Sequence, residues 1–332
     1  MALVAITGGC GYVGSHVAKA FKEKGFETLV VDRNAAKNPH THKYVDILVE
    51  DNFFSRAFFD ALDWHRPVAT VHLAANSLVG PSVTNPSDYY DNNFVKTKQL
   101  VDMMISKGLN NFIFSSTSSV YGEGHEPPIY EKSEKNPLSS YGKSKYMVDM
   151  MLEDYNRAYD FNAVSFRYFN ACGASEDGSL GQVKGATHLV ARIMESALGQ
   201  SDGLKVYGTD YPTPDGTAIR DYTHVEDIAD AHVLALEFIR KNPGLHQVFN
   251  LGSGTGYSVR EVISAVEKNL NTTVQYEEVD RREGDPDKVF ADIQKAEALL
   301  GWKPKRNIDN IAKSAYNWYN GDVYKKLTTS SS

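Results

Sequence analysis

The chain predicts an α/β fold: a doubly wound parallel sheet that carries a smaller C-terminal α/β unit. Three observations lead there. Short apolar runs alternate with helical periodicity through the first half of the chain. A glycine-rich turn joins the first run to the first helical stretch, and an acidic residue closes the second run. Past Cys172 the alternation loosens, and Gly, Ser, Asp and Pro become frequent.

A length of 332 residues allows one large or two smaller domains, and 42% hydrophobic with 23% charged residues is an ordinary globular balance. A net charge of −7 and the lack of any long Lys/Arg run exclude a nucleic-acid footprint. The two cysteines, Cys10 and Cys172, lie far apart without metal-ligand spacing, which fits a reducing compartment. The apolar start at 1–6 has no basic flank and runs into glycines, so it reads as a strand and not a leader. No apolar run approaches the ~20 residues that span a bilayer. These features predict a soluble cytoplasmic protein with no membrane, nucleic-acid or metal partner.

Residues 3–7 form the first strand. Gly8-Gly9-Cys10-Gly11-Tyr12-Val13-Gly14 follows, and then a helix with Val17, Ala18 and Phe21 on one side that stops at Gly25. A second strand, 28–31, ends at Asp32. Strand, glycine loop, helix, strand and acid form the Rossmann-type dinucleotide fingerprint. Glycines let the backbone turn and approach a pyrophosphate at the helix N-terminus. Asp32 is spaced to bond a ribose 2′-hydroxyl and would repel a 2′-phosphate, favouring NAD over NADP; Arg33 beside it weakens that preference.

Residues 68–75 read as another strand ending in small residues. The stretch 88–107 has helical spacing with Val95, Leu100, Met103 and Met104 on one side. Residues 111–116 form a strand that runs into the hydroxyl cluster Ser115-Ser116-Thr117-Ser118-Ser119. Such a cluster at a C-terminal strand end is compatible with a polar loop and with a catalytic element. A helix over 141–159 then opens with Tyr141 and Lys145, four apart and so on one face. A Lys ammonium beside a phenol favours the phenolate, yet bringing a Tyr from about 10 to about 7 takes a second positive charge as well. By itself the pair is equally compatible with a surface tyrosine lying along a lysine stem.

Thr7-Gly8-x-x-Gly11-x-x-Gly14, the hydroxyl cluster before Val120-Tyr121-Gly122, and Tyr141-x-x-x-Lys145 together resemble the extended short-chain dehydrogenase/reductase family. Within its NAD-dependent epimerase/dehydratase branch, four stretches resemble the UDP-glucose/UDP-galactose 4-epimerases. These are 111–116, Arg167-Tyr168-Phe169-Asn170, Arg220-Asp221-Tyr222-x-His224-Val225 and Arg282-Glu283-Gly284-Asp285. The likeness covers residues 3 to about 320.

The resemblance implies a Rossmann-type NAD-binding domain from 1–174 and 222–251, and a nucleotide-sugar-binding domain from 175–221 and 252–332. It implies reversible C4 epimerisation of a UDP-hexose through a 4-keto intermediate, with tightly held NAD. Tyr141 would be the base, Lys145 would lower its pKa, and Thr117 would align the 4-oxygen. NAD⁺ would bring the second positive charge. Further NAD contacts fall by resemblance on Gly8, Gly11, Tyr12, Val13, Gly14, Asp32, Arg33, Asp46, Ile47, Leu73, Ala74, Ala75, Ser77, Asn93, Ser115 and Phe169. Substrate contacts fall on Asn170, His188, Leu189, Val206, Tyr207, Arg220, Tyr222, Val259, Arg282, Asp285 and Val289, besides Thr117 and Tyr141. His188 is equally compatible with an ordinary helix start, and Arg220 and Arg282 with ion pairs to Asp221 or Asp285.

Dehydratase and decarboxylase branches carry carboxylates just after the threonine, where this chain has Ser118 and Ser119. Without them no residue there can do acid/base work at C5 or C6, and epimerisation remains. Three departures stand out: a short link from Asp32 to Asp46, Ser77 where some branches have Lys, and Val289 at the position lining the sugar. Val289 leaves N-acetylhexosamines and pentoses open as substrates. A silent NAD- or nucleotide-sugar-sensing protein is the non-enzymatic alternative; such proteins lose the Tyr or Lys, and this chain keeps both.

The resemblance also implies a homodimer through 88–107 and 141–159. Met103, Met104, Met147, Met150 and Met151 could line that seam or face the sheet. Further on, 173–185 reads as a loop, 187–198 as a helix with Leu189, Ile193 and Ala197 on one side, 225–239 as a long amphipathic helix and 248–251 as a strand. Residues 286–302 and 308–319 complete the smaller domain, and 328–332 read as a frayed tail.

Overall fold

The computed structural model describes residues 1–183, 187–201, 203–282 and 285–329. The end of the 173–185 loop, Glu283-Gly284 of the fourth motif and 330–332 of the tail lie outside them.

The first half builds one sheet. Its elements are β1 (Leu3–Thr7), α1 (Tyr12–Glu23), β2 (Glu27–Val31), β3 (Ile47–Val49), α2 (Arg56–His65) and β4 (Ala69–His72). After these come α3 (Val79–Thr84), α4 (Pro86–Tyr89), a π-helical turn (Tyr90–Val95), α5 (Lys96–Ser106), β5 (Asn111–Thr117), α6 (Ser140–Tyr159) and β6 (Asn162–Tyr168). The remainder comprises β7 (Asn170–Cys172), α7 (Leu189–Ala197), β8 (Leu204–Tyr207), β9 (Ile219–His224), α8 (Val225–Lys241), β10 (His246–Leu251), β11 (Gly256–Ser258) and α9 (Val259–Leu270). The chain closes with β12 (Tyr276–Val279), β13 (Lys288–Val289), α10 (Gln294–Leu300), α11 (Ile308–Tyr319) and α12 (Asp322–Thr329).

Seven strands pair in the order β10-β6-β5-β4-β1-β2-β3, all parallel. The chain reverses direction across the sheet between β1 and β4, and a crevice opens at the strand ends there. Every residue of β1 and of β4 is buried, as expected of central strands covered on both faces. On one face Val4, Ile6, Val164 and Phe166 meet α1 and α8; on the other Ala5, Phe112 and Phe114 meet α5 and α6.

The helix expected over 88–107 is interrupted by the π turn. Each such turn inserts a residue and rotates what precedes it. Leu100 and Met104 are buried as their spacing requires, but Val95 is 41% exposed and leaves their face. The strand expected over 68–75 ends at His72, because the Thr7 hydroxyl captures the Leu73 and Ala74 amides, each at 3.2 Å.

In the second half β9 pairs with β7, β11 and β13, and β8 pairs with β12. Helices α7, α9 and α11 cover this region around Ile193, Val262, Val266, Ile311 and Trp318. The segment around α10, which the sequence groups with the smaller unit, packs on the large sheet. Ala296, Leu300 and Trp302 share the core of α8 and β10, and the Trp302 indole donates to the Asp227 carbonyl at 2.8 Å. The expected frayed tail is helical through Thr329, because Tyr324 packs against Trp318 and Tyr319 at 5.9 and 4.7 Å between ring centres. Among the described residues no helix is long and apolar enough to cross a membrane.

Candidate active site

The glycine loop is shaped by contacts that leave no room for a side chain. Gly8 has φ +72°, and a Cβ there would lie 2.9 Å from the Ala74 nitrogen. A Cβ on Gly14 would lie 2.0 Å from the Gly8 carbonyl oxygen, so α1 begins directly against the loop. The N-cap of α1 is Gly11, with no side chain capping the first turn, so its amides face the crevice. At the end of β2 the Asp32 carboxylate accepts from the Cys10 amide at 3.0 Å and the Asn34 amide at 2.8 Å, which tie it to the loop.

These parts wall a cavity of about 440 Å³ that runs from Asp32 along the glycines to Thr117, Tyr141 and Lys145. Of the residues expected at a dinucleotide, Gly8, Gly11, Tyr12, Val13, Gly14, Asp32 and Arg33 line it. Leu73, Ala74, Ala75, Ser77, Ser115 and Phe169 line it as well.

Asp46, Ile47 and Asn93 do not. Asp46 precedes β3, at the end of the strand away from the crevice, and is held by Lys22 at 2.6 Å and the Thr28 amide at 2.8 Å. Ile47 sits beside it, paired with Leu29. The residues that follow β3, Asp51, Asn52 and Phe53, line the cavity instead. That ligands gather at C-terminal strand ends was the available signal. Asn93 is buried behind the wall, bonding Asn76 and Ser144, and its neighbour Asn92 faces the cavity.

At the reactive end the local sequence sets the geometry. Ser139 caps α6 by accepting from the Gly142 amide at 3.1 Å. A Cβ on Gly142 would lie 2.7 Å from the Ser119 carbonyl, so only glycine lets this first turn sit against the residues after β5. Tyr141 is thereby placed beside the Thr117 hydroxyl, which donates to Ser119 Oγ at 3.2 Å. Burial raises the Tyr141 phenol above its ordinary value, and the neighbouring Thr117 hydroxyl opposes that. The Lys145 ammonium donates to the Ser115 carbonyl at 2.7 Å and lies 4.7 Å above the Phe114 ring. Burial pushes it down to about 7, against the charge of Asp149.

The expected substrate residues divide into two groups. Thr117, Tyr141, Asn170 and His188 line the cavity. His188 stands at the start of α7, where the Gln182 amide bonds its Nδ1 at 2.8 Å. Gln182 and Tyr168 also line the cavity; Tyr168 lies within the Arg167-Tyr168-Phe169-Asn170 motif, which implied no contact for it, and Gln182 carried no sequence signal.

The other group gathers around β9. The Arg282 guanidinium lies 3.8 Å over the Tyr207 ring, Arg220 pairs with Asp285 at 3.3 Å, and Val289 is the ladder partner of Arg220. The ion pair weighed for Arg220 is thus present, with Asp285 as its partner. Tyr222 is buried as the ladder partner of Asn170. Leu189 and Val259 are half-buried against the core of the second unit. Val206 is wholly inside that core, so its side chain is unavailable to a ligand.

Residues 4–252 match the NAD-dependent epimerase/dehydratase family. A UDP-glucose 4-epimerase of Rhizobium leguminosarum bv. trifolii is 38% identical over 318 residues, covering 95% of this chain and 97% of the relative. A UDP-glucose 4-epimerase from Stenotrophomonas maltophila, solved with NAD and formylated UDP-arabinopyranose, superposes with a TM-score of 0.92 at 31% identity, covering 99% of this chain and 100% of that one. A UDP-glucose 4-epimerase from Bifidobacterium longum, in complex with NAD⁺ and UDP, gives 0.90 at 34% identity, covering 97% of this chain and 99% of that one. With the glycine cradle, the Tyr141–Thr117 contact and a family match across most of its length, this chain belongs to the NAD-dependent epimerase/dehydratase family.

Proposed function

We propose that the protein inverts C4 of a UDP-hexose, interconverting UDP-glucose and UDP-galactose through a 4-keto sugar. The observation that carries this reading is the distribution of acids along the cavity. Its lining carboxylates among the described residues, Asp32 and Asp51, both lie at the far end from Tyr141. The reactive end therefore has one phenol and one hydroxyl positioned to move a single proton, and no carboxylate for elimination.

The chain fits NAD. The tight loop that Gly8 and Gly14 permit, the uncapped first turn of α1 and the Asp32 carboxylate match a pyrophosphate flanked by an unphosphorylated ribose. Held by the glycine loop at 8–14 and by Asp32, NAD would supply a reversible hydride acceptor for C4, so the reaction would have no net redox change. Tyr141, as the phenolate, takes the proton from the 4-hydroxyl and becomes the neutral phenol. Thr117 bonds the sugar 4-oxygen and keeps it aligned with Tyr141. Lys145 supplies positive charge beneath the site. Arg220 and Arg282 suit the diphosphate, since a guanidinium bonds phosphate in bidentate fashion. Firm contacts to the nucleotide and few to the hexose suit a sugar that must turn over between the two hydride transfers. This assigns nucleotide-sugar binding to the smaller unit and cofactor binding to the larger.

The same reading includes a homodimer. Val95 in the π turn, and Met150 and Tyr159 on α6, are exposed apolar side chains on the helices expected to pair, and Val83 is exposed on α3, which precedes them. Of the seam methionines, Met104 and Met151 are buried, Met103 and Met147 half-buried, and Met150 exposed.

The test follows the anomeric proton by NMR with UDP-glucose, UDP-galactose and UDP-N-acetylglucosamine. Wild type interconverts the first two without accumulating free NADH, and Tyr141→Phe falls by at least ~100-fold, the usual weight of a general base. Stoichiometric NADH release, or a Tyr141→Phe variant with more than about a tenth of the rate, overturns the reading.

A further inference from the structure

Directly beneath the reactive end lies an ion pair that the mechanism does not use. Asp149 follows Lys145 by one helical turn on α6; the two residues are 3% and 2% exposed. Asp149 Oδ2 accepts from Arg167 Nε at 3.1 Å, Arg167 Nη2 at 3.0 Å and Ser116 Oγ at 3.0 Å. Its other oxygen, Oδ1, is buried with no hydrogen-bond partner. Arg167 is fixed in turn: its Nη1 donates to Tyr121 Oη at 3.0 Å and to the Glu131 carbonyl at 3.2 Å, and Tyr121 donates to Asn250 at 2.6 Å. Lys145 forms no ion pair among the described residues, and the Ser115 carbonyl is a neutral acceptor.

We propose that Asp149 and Arg167 form an electrostatic counterweight to Lys145: the carboxylate keeps the buried ammonium charged, and the guanidinium limits how much of that field reaches it. The pair acts through Lys145, so both are positioning residues. The assignment rests on the epimerase reading for its purpose and on the geometry for its existence.

Other ionisable groups around Lys145 are spoken for. On α6 itself Tyr141 lies beside Thr117 and its phenol is raised by burial, and on α4 Tyr89 donates to the Leu78 carbonyl. Asp91 of the π turn pairs with Lys96, and Asp102 of α5 with Lys98 and Tyr155. On β4, His72 is kept neutral by burial between Thr7 and Thr97. Glu131, Lys135, His246 and Lys295 surround the ion pair, and burial shifts Lys135, His246 and Lys295 toward their neutral forms. Asp149 is thus the negative charge best placed to oppose the desolvation of Lys145.

The two halves of the pair carry opposite signs, and so do the outcomes. Deleting the carboxylate in Asp149→Asn makes Lys145 lose its proton at lower pH. Deleting the guanidinium in Arg167→Gln leaves the carboxylate less compensated and moves that pH upward. Each displacement should be on the order of one pH unit, the size of a unit charge acting across one turn in a buried site. The conservative Arg167→Lys restores the wild-type midpoint.

The measurement is the ¹³Cε resonance of Lys145, assigned with Lys145→Met and titrated in NAD-loaded protein without substrate. The alkaline limb of the kcat profile should move in step. Opposite displacements support the inference. Displacements in the same direction, or none, overturn it, because a merely structural pair would weaken the protein without moving the midpoint by sign. Should Asp149→Asn fail to fold, the upward shift in Arg167→Gln decides alone. Since the resonance is read without turnover, an enzyme that fails to epimerise would sink the functional reading and leave this result legible.

Discussion

Gly14 shows how much one missing atom can control. A Cβ there would meet the Gly8 carbonyl oxygen at 2.0 Å and the Gly9 Cα at 2.9 Å, both backbone. Neither can yield without opening the loop that is proposed to cradle the pyrophosphate. Gly14→Ala is therefore expected to purify with little or no bound NAD, read from the absorbance of denatured supernatant. It should also lose about 1–3 kcal/mol of stability to the buried backbone clash, and so unfold at lower temperature. Retention of stoichiometric NAD would show that the loop relaxes more easily than its contacts imply. Single residues were legible from sequence wherever their chemistry was local. The glycines, Asp32 and the four-residue step from Tyr141 to Lys145 all fall in this class. Asp46 and Ile47 were not, because the residue that meets the cavity depends on where β3 ends, and a three-residue strand has little periodicity to reveal it.

Helix termini position the chemistry more than helix interiors do. Ser139 and Gly142 start α6 against the residues after β5, and so bring Tyr141 to Thr117. In the smaller unit α9 begins with a reciprocal capping box. Ser258 Oγ accepts from the Glu261 amide at 3.0 Å, and Glu261 accepts from the Ser258 amide at 2.7 Å. Ser258 Oγ also donates to Asp215, which joins the cap to the turn before β9. Ser258→Ala should cost about 1–2 kcal/mol in urea unfolding with an unchanged m-value. A loss below a few tenths would mean that water replaces the cap. The π turn is the converse case. No residue type announces it, and it moves Val95 off the face shared by Leu100 and Met104, so the helical spacing misplaced that side chain.

The two units are joined by charge as well as by chain. Lys19 of α1 reaches Asp177 at 3.0 Å and Glu226 at 3.3 Å, while Arg306 before α11 bonds the buried Asp227 at 2.6 Å. With the halves tied in this way, the surface left for assembly is on the outer helices. Met150, 43% exposed at the middle of α6, and Val83, 68% exposed on α3, are the residues to test. The double substitution Val83→Asp/Met150→Asp should yield a monomer by sedimentation equilibrium while wild type sediments as a dimer. A monomeric wild type would remove the dimer from the reading.

From sequence alone, this chain determined its larger sheet, its glycine loop and the placing of Tyr141 and Lys145 one helical turn apart. Those depend on short-range patterns: hydrophobic period, glycine spacing, and side chains one helical turn apart. Only the tertiary structure decided which strand end meets the cavity, that α10 packs on the large sheet, and that Val206 is sealed in a core. It also decided that Asp149 and Arg167, eighteen residues apart, meet beneath Lys145. These outcomes are set by packing between segments distant in the chain, where burial and the pairing of buried charge outweigh anything a local pattern can express.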